Sequence, residues 1–533
     1  MRSGPLLSAM SPALSRVKGR LPHWDDYLSR REPIFLVLIL VIFLVVNLLT
    51  AERSPTVWQD EVLYADPAAS LLKGQGFTSA AWPAQPKEQL WAGNAPLHTL
   101  LLVPWMWVWG FGPTAVRSVN YAYIAVAAVL LWVSVHRLQL IHRPALRLAF
   151  VALVLCGQGV AFGYRSGRYD SIGVLVVAAA LFATTQSSSR LRQSMLAVLG
   201  FLMPLAGLQL LPFLTVLGVL LIIFLGVGVL RHLAPLAIGC LFGTASLVLS
   251  ALALGVWQAF RESVRVLGGI GFSPSQAFLG QLAGKGSAMV WAFLSDLSAL
   301  GVVLCMALAA SVALMTRQFR WRSPEVFGLT VAVAVPLGLA VTGKFVSYYS
   351  WMVFLPSAVC CFMVFEGWLD TAPVRGLTAR RLLTGSFGGL LGLAVVVGLP
   401  LRLVRTVVEW PARDYACVQS LVRNQVGPTD WAYCTFSAYY PAKDVAEVVF
   451  LPSYSRVMRP DEKARISVLV VVPNESAEVR TFIGGEWREV GDRLAARELT
   501  PAFGMLQKAF FGQATAGYSL TLLRRVTDTA GVR

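Results

Sequence analysis

The sequence predicts an all-α polytopic membrane domain followed by a small exterior α/β domain. Of its 533 residues, 56% are hydrophobic and only 14% are charged, against about a quarter charged in a soluble globular chain. Apolar runs of about 18 residues or more recur from Pro33 to Pro400, each long enough to cross a bilayer as a helix. Beyond Leu403 charged residues become frequent and the long apolar runs stop. The net charge of +17 would suggest nucleic acid in a soluble protein. Here most Lys and Arg stand in short clusters between apolar runs, where they mark membrane topology instead.

Residues 1–33 are basic and polar, with Arg2, Arg16, Lys18, Arg20, Arg30 and Arg31. No short apolar segment with a small-residue cleavage site precedes the first span, so that span is expected to stay as an anchor with the N-terminus in the cytoplasm. The first span, 34–50, then leads outward into an exterior segment, 51–115. Within it, "APLHTLLLVPWMWVWGFG" (95–112) is short, Trp-rich and interrupted by Pro104. A crossing here would put the cationic cluster at 136–147 outside. A helix lying along the interface puts that cluster inside, together with those at 188–193, 231–232, 316–322 and 374–381, as the positive-inside rule requires. About eleven spans follow: 34–50, 116–135, 148–164, 171–187, 194–209, 212–230, 235–255, 288–315, 325–342, 347–366 and 382–402. They place 256–286 as a second exterior loop.

Residues 34–403 thus form the membrane domain and 404–533 the exterior one, long enough for a core of its own. In the latter, "ISVLVVVP" (466–473) reads as a strand, and "DYACVQSLVRNQVGPTDWAYCTF" as a helix, a Gly-Pro turn and a strand. Five of the seven cysteines lie in apolar runs and are expected to be buried hydrophobes. Cys417 and Cys434 lie in the exterior domain, where a disulfide between them is open alongside two free thiols.

The threading gathers ionisable residues at one membrane face. Asp60 and Glu61 follow the first span, Arg117 opens the second, and Arg165, Arg168 and Asp170 lie between the third and fourth. Lys344, Tyr348 and Tyr349 lie between the ninth and tenth. Singly, each has a plainer explanation: an Arg anchoring a span end, an Asp170–Arg168 ion pair, interfacial tyrosines, a solvated acidic corner. Their convergence at one depth favours a shared polar cavity, because charge near hydrocarbon is costly unless paired or wetted. Carboxylates with several cations suit the deprotonation of an acceptor beside an anionic leaving group. Other signals are weak. "GQLAGKGS" has the wrong spacing for a phosphate-binding loop, "NES" at 474–476 is a bare glycosylation sequon, and His23, His98, His136, His142 and His232 have no metal-ligand spacing.

Several segments also have a familiar order: "WQDEVLYADPAASLLKGQGF" after the first span, "APLHTLLLVPWMWVWGFG", Arg117 in "TAVRSVNYAY", Asp170 in "SGRYDSIGVLVVAAALFA", and "GKFVSYYSWMVFLPSA" before a late span. In order and spacing, over about residues 34–366, they resemble the GT-C membrane glycosyltransferases, in particular the protein O-mannosyltransferases and the bacterial lipid A aminoarabinose transferase. The resemblance implies a GT-C-like fold and inverting transfer of a hexosyl or pentosyl unit from a polyprenyl-phosphate donor. The acceptor would be a hydroxyl of an envelope glycolipid, polysaccharide or protein, at the periplasmic face of a bacterial inner membrane. It implies Asp60 as the base, Glu61 as its support and Asp170 as a second acidic site. Arg117, Arg165, Arg168 and Lys344, with Tyr348 and Tyr349, would face the donor phosphate, and Trp58, Tyr64, Asn94 and His98 would line the cavity. No cofactor is called for, although Asp60 with Asp170 leaves room for a divalent metal. The chain departs from the pattern at "GNAPL", where the aminoarabinose enzymes carry a basic residue before "PPL", and 256–286 is too short for a β-trefoil insertion. A transporter or flippase for lipid-linked substrates is the main competing class, although such proteins often show paired repeats with broken helices near mid-membrane. A polymerase or ligase of lipid-linked glycans is the other.

Overall fold

The computed structural model describes residues 24–268, 290–342, 345–370, 377–491, 493–498 and 515–526. In a bilayer every backbone polar group must be satisfied internally, which makes the apolar runs helices. α1 (Trp24–Leu49) shows the consequence at side-chain level. Ile34, Val37, Leu38, Val41, Ile42 and Val45, spaced three and four apart, are exposed and form a stripe for lipid, while Leu36 and Phe43 face the core. Two helices occupy the segment 51–115, α2 (Gln59–Leu72) and α3 (Pro96–Trp109). At 1.5 Å per residue, the 14 residues of α3 fall short of the roughly 30 Å hydrocarbon core. Leu102 and Met106 are buried while Trp107, Val108 and Trp109 stand exposed, which suits a helix lying in the interface.

α4 (Pro113–Arg137) is followed by α5 (Pro144–Cys156) and α6 (Gln158–Arg165), then α7 (Asp170–Thr184), α8 (Ser189–Ala206), α9 (Leu210–Leu225), α10 (Leu230–Ala253) and α11 (Trp257–Gly268). α12 (Leu297–Met315), α13 (Pro324–Thr342), α14 (Trp351–Asp370), α15 (Leu377–Val396) and α16 (Leu399–Val408) complete the membrane domain. Each of the eleven expected segments overlaps a helix among the described residues, but not as eleven uniform rods. Among the described residues six helices are long and apolar enough to span, or eight if each of two bent pairs crosses as one. Expected span 148–164 is broken between α5 and α6 by a 53° bend, and 382–402 by a 45° bend before α16. Within the expected 288–315 span, residues 290–294 are helical, the helix is interrupted at Ser295 and Asp296, and α12 starts at Leu297, where the buried Asp296 accepts from the Ala299 N–H as a cap. α8 and α10 approach so closely that a Cβ on Gly239 would lie 2.1 Å from the Ala197 carbonyl oxygen, and one on Gly243 2.2 Å from that of Phe201. These small residues four apart are what allow two membrane helices to touch backbone to backbone.

The orientation expected from the Lys/Arg clusters makes a direct prediction. A single cysteine at Trp107→Cys should react with a membrane-impermeant maleimide from outside, and one at His136→Cys only after permeabilisation. Reaction of the second in sealed right-side-out vesicles would refute an interfacial α3.

The C-terminal region begins with α17 (Tyr415–Gln425), continues through β1 (Trp431–Cys434), α18 (Tyr439–Val445), β2 (Val448–Phe450), α19 (Pro460–Arg465), β3 (Val468–Val471), α20 (Ser476–Ile483) and β4 (Trp487–Glu489), and then β5 (Arg497–Glu498), β6 (Thr515–Ala516) and β7 (Thr521–Arg525). The main sheet has the order β2-β1-β3-β7-β4, parallel through its first three strands and antiparallel at β7 and β4. Strand alternation divides β1 between two cores: Trp431 and Tyr433 pack with Phe450, Tyr454 and Leu469, while Ala432 and Cys434 join the larger core that runs on into the membrane domain. The disulfide left open above is not formed, since Cys417 and Cys434 are both free. Tyr415, Val418 and Val422 make the buried stripe of α17, so Cys417 is turned to solvent while Cys434 is buried in the sheet.

Candidate active site

Asp60 and Glu61 occupy the first turn of α2, where acidic side chains are favoured by the helix dipole. Successive side chains on a helix diverge by about 100°, and the two acids accordingly enter different surroundings. Glu61 turns inward and is fully buried with Arg117. Arg117 Nη2 lies 2.6 Å from Glu61 Oε2, and its Nε donates to Oε1 at 3.1 Å. The same guanidinium donates to the carbonyls of Ala51 and Pro55. Tyr440 of the C-terminal α/β region donates to Glu61 Oε1 at 2.9 Å. Burial pushes the Glu61 carboxyl above its ordinary range, against the pull of Arg117 and Tyr440.

Asp60 turns the other way, its side chain 22% exposed, and meets Arg168. Arg168 also bonds Asp170 Oδ2 through Nε at 2.5 Å and lies over the Tyr348 ring, 3.7 Å from its centre. Its backbone is fixed from α4, because Asn120 Nδ2 donates to the Arg168 carbonyl at 2.9 Å. Asp170 opens α7 and is buried, and its Oδ1 has no hydrogen-bond partner among the described residues. One guanidinium thus joins the two acids that the sequence had placed 110 residues apart.

The 165–170 turn and the start of α2 interlock. Trp58 Nε1 donates to the Ser166 carbonyl at 2.9 Å. Gly167 has φ +67°, and a Cβ there would lie 2.6 Å from Glu61 Cγ, so glycine is required on both counts. Around this junction Tyr64 donates to Asn94 Oδ1 at 2.8 Å and packs edge-on to Tyr169, whose hydroxyl is 3.3 Å from that of Tyr349. His98 is buried near Tyr123, and burial holds its imidazole at about 4, neutral at physiological pH.

The structure therefore brings together Asp60, Arg168, Asp170, Tyr348 and Trp58 at one junction, with Glu61 and Arg117 behind it. Arg165 is committed elsewhere: its guanidinium is buried and donates to Asn47 Oδ1 at 2.6 Å, Thr50 Oγ1 at 2.9 Å and the Ser54 carbonyl at 2.9 Å, tying α6 to the end of α1. Arg117 is likewise occupied by Glu61. Lys344 lies outside the described residues. A cation that the sequence reading placed merely at the end of a span, Arg402 of α16, lies over the Phe162 ring at 5.3 Å. Phe162 stacks on Tyr348 with ring centres 5.8 Å apart, so Arg402 and Arg168 bracket one aromatic row. Asp66 was also missed; it is buried and bonded by Ser79 and Tyr439.

The donor set does not suit a divalent metal. Arg168 stands between the two carboxylates, and no group of three or more His, Cys, Asp or Glu side chains with metal-ligand geometry occurs among the described residues.

The chain has the GT-C fold of membrane glycosyltransferases that the motif order implied. It aligns with the crystal structure of ArnT from Cupriavidus metallidurans bound to undecaprenyl phosphate, at a TM-score of 0.56 and 11% identity over 93% of this chain and 99% of that one. The apo state of the same protein gives 0.52 and 14% over 94% and 99%. No protein-family profile and no curated protein sequence matches the chain. At such identities what is shared is the fold.

Proposed function

We propose that the chain is an inverting glycosyltransferase that moves a sugar from a polyprenyl-phosphate donor to an acceptor hydroxyl at the exterior, periplasmic face of an inner membrane. The observation that carries this reading is the Asp60–Arg168–Asp170 junction, an accessible carboxylate held by a cation that a second, buried carboxylate orients. The likeness to a fold solved with undecaprenyl phosphate supports a polyprenyl-phosphate carrier.

In this reading Asp60 accepts the proton of the acceptor hydroxyl. The resulting oxygen attacks the anomeric carbon opposite the phosphate, and the carbon–oxygen bond to phosphate breaks with its electron pair leaving on the phosphate oxygen. One displacement inverts the centre, so one base suffices and no covalent intermediate forms. Arg168, with Arg402 across the aromatic row, neutralises the charge that grows on the leaving phosphate. A phosphate at Arg168 would compete with Asp60 for its guanidinium, which would leave the carboxylate freer to take a proton once the donor is in place.

Mass spectrometry of envelope glycolipids, polysaccharides and glycoproteins from cells with and without the gene tests this. Loss of one defined sugar substituent is expected, and an unchanged set of glycans would overturn the reading.

A further inference from the structure

The helix that carries Asp60 has its buried polar side chains met from residues 373 to 379 positions away in the chain. Tyr440 donates to Glu61 at 2.9 Å and Tyr439 to Asp66 Oδ1 at 2.7 Å. Lys443 Nζ lies 3.1 Å from Asp66 Oδ1 and donates to Ser70 Oγ at 3.1 Å. In return Lys73, at the end of α2, donates to the Lys443 carbonyl. Glu61, Asp66, Ser70, Tyr439, Tyr440 and Lys443 are all buried. Phe111, from the turn between α3 and α4, packs against both tyrosine rings at 5.9 and 5.2 Å.

A domain tethered for some separate task would meet the membrane domain through exposed, replaceable contacts. This seam instead contains a buried carboxylate, Asp66, whose cation comes from the other domain, and a buried ion pair, Glu61–Arg117, whose third partner does too. Buried charge is tolerated only where its partners are held in place. The exterior domain is therefore needed to satisfy α2, and its contacts to Glu61 and Asp66 lie within two turns of Asp60.

We propose that the exterior domain is a positioning element of the catalytic site: Tyr440 through Glu61–Arg117, and Tyr439 with Lys443 through Asp66, set the roll and height of α2 and so hold Asp60 against Arg168. The proposal rests on the reading of Asp60 as the base, and its test separates the two. In full-length protein in nanodiscs, Tyr440→Phe is expected to lower kcat roughly tenfold to a hundredfold, as a small misplacement of a reacting group does, with the acceptor KM within about twofold. In a Glu61→Gln background the same substitution should add almost nothing, because the two act as one unit. An equal further loss in both backgrounds, or an unchanged kcat, would overturn the proposal. Hydrogen–deuterium exchange supplies a readout independent of activity. Amides of 59–72 are expected to exchange severalfold faster in Tyr439→Phe, and faster still with Lys443→Met added. Faster exchange in a protein that shows no transfer would keep the clamp and discard the glycosyltransferase reading. Unchanged exchange would overturn the clamp whatever the activity.

Discussion

Asp60→Asn is expected to lower transfer by about 10²–10⁴-fold, the usual contribution of a positioned general base, while expression and thermal unfolding stay near wild type. The geometry separates the two effects. Asn keeps the shape of Asp and can still accept a hydrogen bond from Arg168, and Arg168 retains its ion pair with Asp170. The fold loses one partly exposed charge at a helix N-terminus, typically about 0.3–1 kcal/mol. What disappears is the capacity to take a proton. The adjacent acid does not offer the same separation, because Glu61 is fully buried against Arg117 and its neutralisation strands a guanidinium in the core. Transfer from a labelled polyprenyl-phosphate sugar to acceptor by purified protein, beside melting curves, measures both quantities. Full activity in Asp60→Asn would remove it as the base.

The parts of this site legible in sequence were those fixed by membrane depth. Hydropathy and the Lys/Arg clusters place Asp60, Arg168, Asp170 and Tyr348 at one face, and the structure joins them into one cluster. Depth does not choose partners. Arg117 and Arg165 stand at the same level, yet one is taken by Glu61 and the other by Asn47, Thr50 and the Ser54 carbonyl, contacts set by helix roll. Gly167 carried a readable signal, a glycine in the short turn "RSGRYD" (165–170), but its cause is the close approach of Glu61 from another segment. Tyr439, Tyr440 and Lys443 were illegible for a related reason. The C-terminal α/β region was recognisable from its strand pattern, but nothing local marks which of its polar side chains turn toward α2. The cysteine pair stayed open in sequence on the same ground: a short loop between Cys417 and Cys434 does not say that one thiol turns to solvent on α17 while the other is buried in β1.

Arg168 should show two separable losses, and a second substitution divides them. Arg168→Gln removes the cation from the buried Asp170, and breaking such a pair costs about 3–5 kcal/mol, so a marked fall in melting temperature is expected together with loss of transfer. Asp170→Asn, introduced into Arg168→Gln, replaces a stranded carboxylate by an amide that can share a hydrogen bond with the new glutamine, and most of the stability should return. Transfer should not. If Arg168 neutralises the departing phosphate, the stable double variant stays below about a hundredth of wild-type kcat, since losing a preorganised charge-stabilising donor typically costs 10²–10³-fold. Recovery of transfer along with stability would make Arg168 and Asp170 a structural pair only. Among the described residues, Arg402, across the Phe162–Tyr348 row, would then be the next cation to test for holding the phosphate.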